Sequence, residues 1–293
     1  MPSYILLSFL AAVSFAIAAI FNKFASKHAI KERWSLLFYY YLTFTPFLLL
    51  IPFFTKIQIP SDNWLTLFLY SVFFFLGNIC FFTAIFKTDA SVFAPFFQLQ
   101  AAFVAILAFL FLGERFSLAN YLWISLILAG AVLVSLDEKM TFKTFFQKYI
   151  FLIILWQLFH AVSNLYAGFA LEKMDFWNLT FWSSIISAVM VLIIVPFFAK
   201  FKLKTSFSQL KPLFVVSFFS FIGANSLFAA FQVNLTISTT ISLLTAPIVL
   251  LVSIILSKFK PEFIEHHTGK VYLIRIIAVV IILFGAFKIS LGG

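Results

Sequence analysis

The sequence predicts an all-α, polytopic membrane protein of ten transmembrane helices built as a 5+5 inverted repeat. Composition is the first observation: 63% of the 293 residues are hydrophobic and only 10% are charged, against about 45–50% and about 25% in soluble domains. Length is the second. A bilayer-crossing helix needs about 20 apolar residues, so ten use about 200, close to the hydrophobic share of this chain. Pattern is the third, because long apolar runs alternate with short polar breaks. Together they exclude a soluble enzyme, a disordered chain and a nucleic-acid-binding domain. The net charge of +10 has hardly any soluble surface to occupy, so no nucleic-acid partner is expected. Lys and Arg beside membrane helices instead set orientation and touch anionic lipid. The 45 Phe residues read mainly as lipid-facing filler. Cys80 is the single cysteine and lies inside an apolar run, so there is no disulfide framework.

The spans fall at 4–25, 34–54, 63–86, 90–112, 118–136, 149–170, 176–199, 212–233, 237–257 and 271–290. No basic residue precedes the first, and its apolar run is too long for a signal peptide, so it reads as a helix. Trp34, Trp64 and Trp177 fall at span ends, where aromatic side chains favour the interface. The polar stretch 137–148, DEKMTFKTFFQK, divides the chain near its midpoint. Repeat one is expected over 1–138, a linker over 139–148 and repeat two over 149–293.

Internal similarity supports the division. A shift of 146 residues carries Leu67, Ser71, Phe75, Gly77 and Ala84 onto Leu213, Ser217, Phe221, Gly223 and Ala230. A shift of 145 carries Tyr4, Ala16 and Phe24 onto Tyr149, Ala161 and Phe169. Spans 5 and 10 share Gly-Ala at 130–131 and 285–286. Five spans per copy is odd, so the second copy must cross the membrane inverted. Charge provides an independent check. The loop after span 1 holds Lys23, Lys27, Lys31 and Arg33 where its counterpart holds Lys173; the next loop reverses this, with Lys56 against Lys200, Lys202, Lys204 and Lys211. Opposite bias in equivalent loops is what inverted repeats in one orientation require.

Residues 84–134 carry a small, polar start to span 4 (TDASVFAP), an FLGER end and a Gly-bearing fifth span. The matching stretch of the second half reads TTISLLTAPIVLLVSIILSKFKPE, with Pro247 where the first half has Ala101 and Lys260 where it has Glu114. These features resemble the EamA family of the drug/metabolite transporter superfamily. The resemblance implies ten helices forming a basket around a central cavity, with spans 5 and 10 peripheral and amino acids as the commonest substrate guess. It also implies termini inside the cell. The charge count opposes this: loops after odd-numbered spans hold 16 basic residues and the remainder 4, which puts both termini outside. The bias recurs in both repeats, and the charge reading is adopted.

Polar residues within spans are costly and therefore functional candidates. Gln157, His160 and Asn164 of span 6 lie within an arc of about 60° at 100° per residue, flanked by Ala161 and Gly168. They read as a cavity wall; a helix seam with interhelical hydrogen bonds is the alternative. Span 4 offers Gln98 beside Ser91 and Pro95. Span 9 offers Thr239 and Ser242, then Pro247, expected to free the Leu243 carbonyl. Asn78 and Asn225 occupy nearly equivalent repeat positions in spans 3 and 8. Broken helices in matching places of two repeats point to a midplane site.

No Asp or Glu lies well inside a span, which disfavours a lipophilic-cation antiporter. Glu114–Arg115 resembles the family's exit motif and reads as an interfacial charge pair rather than a gate. His266–His267 makes no metal site without further ligands. The sequons Asn178-Leu-Thr180 and Asn234-Leu-Thr236 sit at span ends and carry no expected modification. No cofactor and no metal are expected. His160 is the only deep group that ordinarily titrates near neutral pH, with Lys23 at the end of span 1. The reading is a secondary transporter in the cell (inner or plasma) membrane, an exporter of a small neutral or zwitterionic metabolite such as an amino acid, working by alternating access. Its partners are the small-molecule substrate and membrane lipids, and the protein is a monomer or weak dimer. The rival is an integral membrane lipid translocator or lipid-modifying enzyme. An enzyme would need clustered acidic ligands or a nucleophile with a base, and DEKM at 137–140 and DFWN at 175–178 supply neither.

Overall fold

The computed structural model describes residues 3–87, 96, 99–111, 117–134, 148–199, 203–259 and 268–291. The elements are α1 (Ser3–Phe24), α2 (Arg33–Leu48), α3 (Trp64–Ala84), α4 (Leu99–Phe111), α5 (Leu118–Val134), α6 (Lys148–Leu171), α7 (Phe176–Phe198), α8 (Phe207–Phe231), α9 (Leu235–Ser242), α10 (Thr245–Phe259) and α11 (Gly269–Leu291). Among the described residues there is no strand. Among the described residues six segments are long and apolar enough to cross a bilayer: Ser3–Ala29, Arg33–Phe53, Trp64–Ala84, Tyr149–Leu171, Phe176–Phe198 and Phe207–Phe231. Large apolar side chains such as Leu65, Leu192, Ile193 and Val280 face outward, as a lipid-facing surface requires.

Helix ends follow local chemistry. The Glu32 carboxylate accepts from the Trp34 N–H at 3.0 Å and the Ser35 N–H at 2.6 Å, capping α2 and meeting its N-terminal dipole. The Asp175 carboxylate accepts from the Asn178 N–H at 3.0 Å to start α7. A capping box of Ser206 and Gln209 starts α8 at Phe207, five residues before the predicted span; the Ser-x-x-Gln pattern was readable. At the other end of α1 one π-helical turn covers Ala25–Ala29 and closes with the Ile30 N–H on the Ala25 carbonyl at 2.8 Å. There the Lys23 ammonium donates to the Ile85 carbonyl just past α3 at 2.9 Å, a cation at a helix C-terminus.

Small residues decide which helices meet. The core of the bundle pairs α1 with α8 and α3 with α6, its two most extensive crossings, while α2 packs against α7 and α8 and α5 packs on α11. Ala11, Ala12, Ala16 and Ala19 line the buried face of α1. At the α1–α8 crossing a Cβ on Gly223 would lie 2.7 Å from the Phe15 ring; at the α3–α6 crossing a Cβ on Gly77 would lie 2.5 Å from the His160 ring. Glycine is needed at both crossings because ring and backbone touch.

One local expectation is corrected. Span 9 is two helices, α9 and α10, broken at Leu243–Leu244. Pro247 does not leave the Leu243 carbonyl free: the Ala246 N–H turns back to it at 3.1 Å, and the Leu244 N–H takes the Ile241 carbonyl at 3.0 Å. With the chain restarted at Thr245, Pro247 is the third residue of α10, in the first turn where its missing N–H costs nothing. The Thr245 hydroxyl bridges the break, donating to the Ser242 carbonyl at 2.7 Å and to the Ala12 carbonyl of α1 at 3.1 Å.

Candidate binding cavity

The crossings enclose a cavity of about 210 Å³ lined from α1, α2, α3, α4, α6, α7, α8 and the α9–α10 break. At roughly 30 Å³ per water, that is space for about seven waters or one small metabolite. Its described lining contains no Asp, Glu, Lys or Arg.

α6 supplies the most polar stripe. Gln157, His160 and Asn164 all line the cavity, as the 3.6-residue period places them. The Gln157 Nε2, His160 Nε2 and Asn164 Nδ2 are buried without a hydrogen-bond partner. The His160 ring is held between Phe74, stacked at 4.9 Å, and Trp156, edge-on at 5.5 Å. Neighbouring helices add further orphaned atoms, among them Asn22 Oδ1 of α1 and Thr180 Oγ1 of α7, both on lining residues. A buried polar atom left unpaired costs about 1–3 kcal/mol. These atoms gather around the same cavity rather than being spread along the helix crossings.

The remaining sequence candidates divide. Asn78 lines the cavity and donates to the Tyr41 hydroxyl at 2.8 Å. Ser242 lines it and donates to the Thr239 carbonyl at 2.7 Å. Asn225 is buried outside the lining and donates to its own helix at the Phe221 carbonyl, 2.8 Å away. Thr239 is also buried outside the lining. Gln98, Ser91 and Pro95, the Glu114–Arg115 pair and His266–His267 lie outside the described residues. Among the described residues no group of three His, Cys, Asp or Glu could hold a metal. Asn178 of the first sequon is buried and knits the 56–58 segment to α7: it donates to the Lys56 carbonyl at 3.2 Å and accepts from the Gln58 N–H at 2.9 Å.

Several lining residues escaped the sequence reading. Tyr40 and Tyr41 of α2 and Tyr70 of α3 form an aromatic wall, and Gln100 of α4 adds an amide. Thr180, Ser183, Ser184 and Ser187 place hydroxyls along α7. Their i, i+3, i+4, i+7 spacing inside an apolar run was the available signal.

Residues 2–136 match the EamA-like transporter family. An uncharacterized transporter in the cobO 3' region of Sinorhizobium sp. is 37% identical over 78 residues, or 27% of this chain. The match spans 55% of that relative, so about half its length. A protein crystal structure resembles 99% of this chain and 96% of its own, with a TM-score of 0.64 at 13% identity, which bears on the fold alone. Apolar spans, the family match over residues 2–136 and the transporter relative agree: the chain is an integral membrane protein whose first half matches the EamA-like transporter family.

Proposed function

We propose that this chain is a secondary transporter, acting as an exporter, that moves a small neutral or zwitterionic metabolite such as an amino acid through the central cavity by alternating access. Ten spans in two inverted repeats of five rock around the site, and the protein works as a monomer or weak dimer in the cell membrane without a cofactor. The observation that carries this reading is that the cavity is built from equivalent positions of both halves. With Trp34, Leu36 and Phe38 set on Trp177, Leu179 and Phe181, α2 and α7 are related by a shift of 143 residues. That shift pairs Tyr40, Tyr41 and Phe44 with Ser183, Ser184 and Ser187, and all six line the cavity. The shift of 145 pairs Phe15 and Ala19 with His160 and Asn164; the shift of 146 pairs Phe74, Asn78, Phe81 and Phe82 with Ser220, Ala224, Leu227 and Phe228, again all lining.

Bonds and crossings repeat in the same way. Ser71 donates to the Ser183 carbonyl at 3.1 Å, and its equivalent Ser217 donates to the carbonyl of Tyr40, the equivalent of Ser183, at 3.4 Å. Gly77 lies under the His160 ring as Gly223 lies under Phe15. A cavity on a pseudo-twofold axis is where an inverted-repeat carrier binds substrate.

Among the described lining residues there is no Asp, Glu, Lys or Arg, which supports a solute without net charge, because an unpaired charge buried there would be strongly disfavoured. Uptake into proteoliposomes across amino acids, sugar phosphates and lipids tests this: uptake of an uncharged or zwitterionic solute is expected, whereas lipid scrambling or uptake of sugar phosphates alone contradicts it. With no carboxylate in the described lining, net flux is expected to persist without sodium and after the pH gradient is collapsed. Flux that vanishes with the pH gradient contradicts that expectation and implicates His160. Orientation follows the basic loops, with both termini outside; a reporter fused at Gly293 that is active only in the cytoplasm contradicts it.

A further inference from the structure

The two walls of the cavity are chemically unequal. At four equivalent positions the first half presents a ring where the second presents a hydroxyl: Tyr40 and Ser183, Tyr41 and Ser184, Phe44 and Ser187, and Phe74 and Ser220. Among these rings Tyr70 and Phe74 stack at 5.7 Å, and Tyr40 and Phe82 meet tilted at 5.5 Å. α6 and α7 add donors and acceptors without formal charge to the lining, among them the orphaned Gln157 Nε2, Asn164 Nδ2 and Thr180 Oγ1. A ligand satisfying both walls needs a flat π face on one side and an uncharged hydrogen-bonding edge on the other. Aromatic side chains stack on any base-like ring, and Asn and Gln amides pair with the donor–acceptor edge of a heterocycle. A zwitterion would instead bring a carboxylate and an ammonium into a lining whose described residues offer neither a counter-charge nor a salt bridge.

Resting on the transporter reading above, we propose that the cavity selects a neutral planar heteroaromatic molecule bearing an amide- or amidine-type edge, the chemistry of a free nucleobase or a pyridine carboxamide. The ring lies against the Tyr70–Phe74 wall and the edge meets Gln157 and Asn164.

The test measures [³H]adenine and [³H]leucine uptake into proteoliposomes of the full chain, with adenine, nicotinamide, cyclohexanecarboxamide, L-tryptophan and L-leucine as competitors. Adenine and nicotinamide are expected to compete. Cyclohexanecarboxamide, which keeps the carboxamide but lacks the flat ring, and both amino acids are expected to be at least about tenfold weaker, in line with stacking worth about 1–3 kcal/mol per base. Phe74→Leu should weaken adenine about tenfold, and Gln157→Leu should weaken adenine more than it weakens indole, added as a further competitor. Leucine or tryptophan uptake with no adenine uptake overturns this substrate class and leaves the transport cavity standing. Equal competition by cyclohexanecarboxamide, or an unaffected Phe74→Leu variant, also overturns it. Uptake of neither label, with no solute protecting the Asn164→Cys variant from a thiol reagent, overturns the cavity reading itself.

Discussion

Replacing Gly77 or Gly223 by Leu is expected to leave no folded protein in detergent. Each glycine lies where a helix backbone meets a ring, so even a Cβ would stand 2.5 Å from His160 or 2.7 Å from Phe15. Ala at either position forces a ring to move, and overpacking of that kind costs about 1–3 kcal/mol; Leu adds three further carbons with nowhere to go. The matched control is Gly168→Ala, whose Cβ would meet only a side-chain methyl of Leu235 at 3.5 Å, an ordinary contact that should leave melting unchanged. A compensating change sharpens the expectation: Phe15→Ala should restore most of the stability lost in Gly223→Ala by vacating the contested space. Leu variants that melt like the parent would show that the two crossings are not close-packed.

The second large effect is on transport. Gln157→Ala, Asn164→Ala and His160→Phe each remove an atom that has no protein partner, and His160→Phe keeps the ring that fills the space between Phe74 and Trp156. Interhelical hydrogen bonds in membranes contribute about 0.6 kcal/mol on average and up to about 1.7. Removing groups that make no such bond should shift melting by less than that, while initial transport rates fall at least about tenfold for each variant. Melting losses that scale with transport losses across the three would mean that the stripe on α6 is a structural seam.

Much of this was legible in the sequence because a lipid-facing helix writes its length as an apolar run and its interior face as a periodic polar stripe. Hence the polar stripe of α6, with Asn78 and Ser242, could be picked out, and the structure places these residues on the cavity lining. What the sequence could not supply was the partner of each face. A helical wheel shows that Tyr40, Tyr41 and Phe44 share one side of α2, but only the crossing of α2 with α7 and α8 turns that side to the cavity. Asn225 shows the converse: its repeat position matches Asn78 closely, yet it lies outside the described lining and its amide donates to the Phe221 carbonyl of its own helix. Pro247 marked the break in span 9 correctly, but the neighbouring Ala246 N–H satisfies the carbonyl it was expected to leave open.

The central claim is that the volume between α6 and the aromatic wall is where solute binds, and thiol accessibility tests it most directly. Cys80 is the single native cysteine, so Cys80→Ala gives a silent background. In that background Gln157→Cys, His160→Cys and Asn164→Cys should each react with a water-soluble thiol reagent, and a transported solute should slow the reaction. Three unreactive positions, or reactivity that no transported solute changes, would contradict the account.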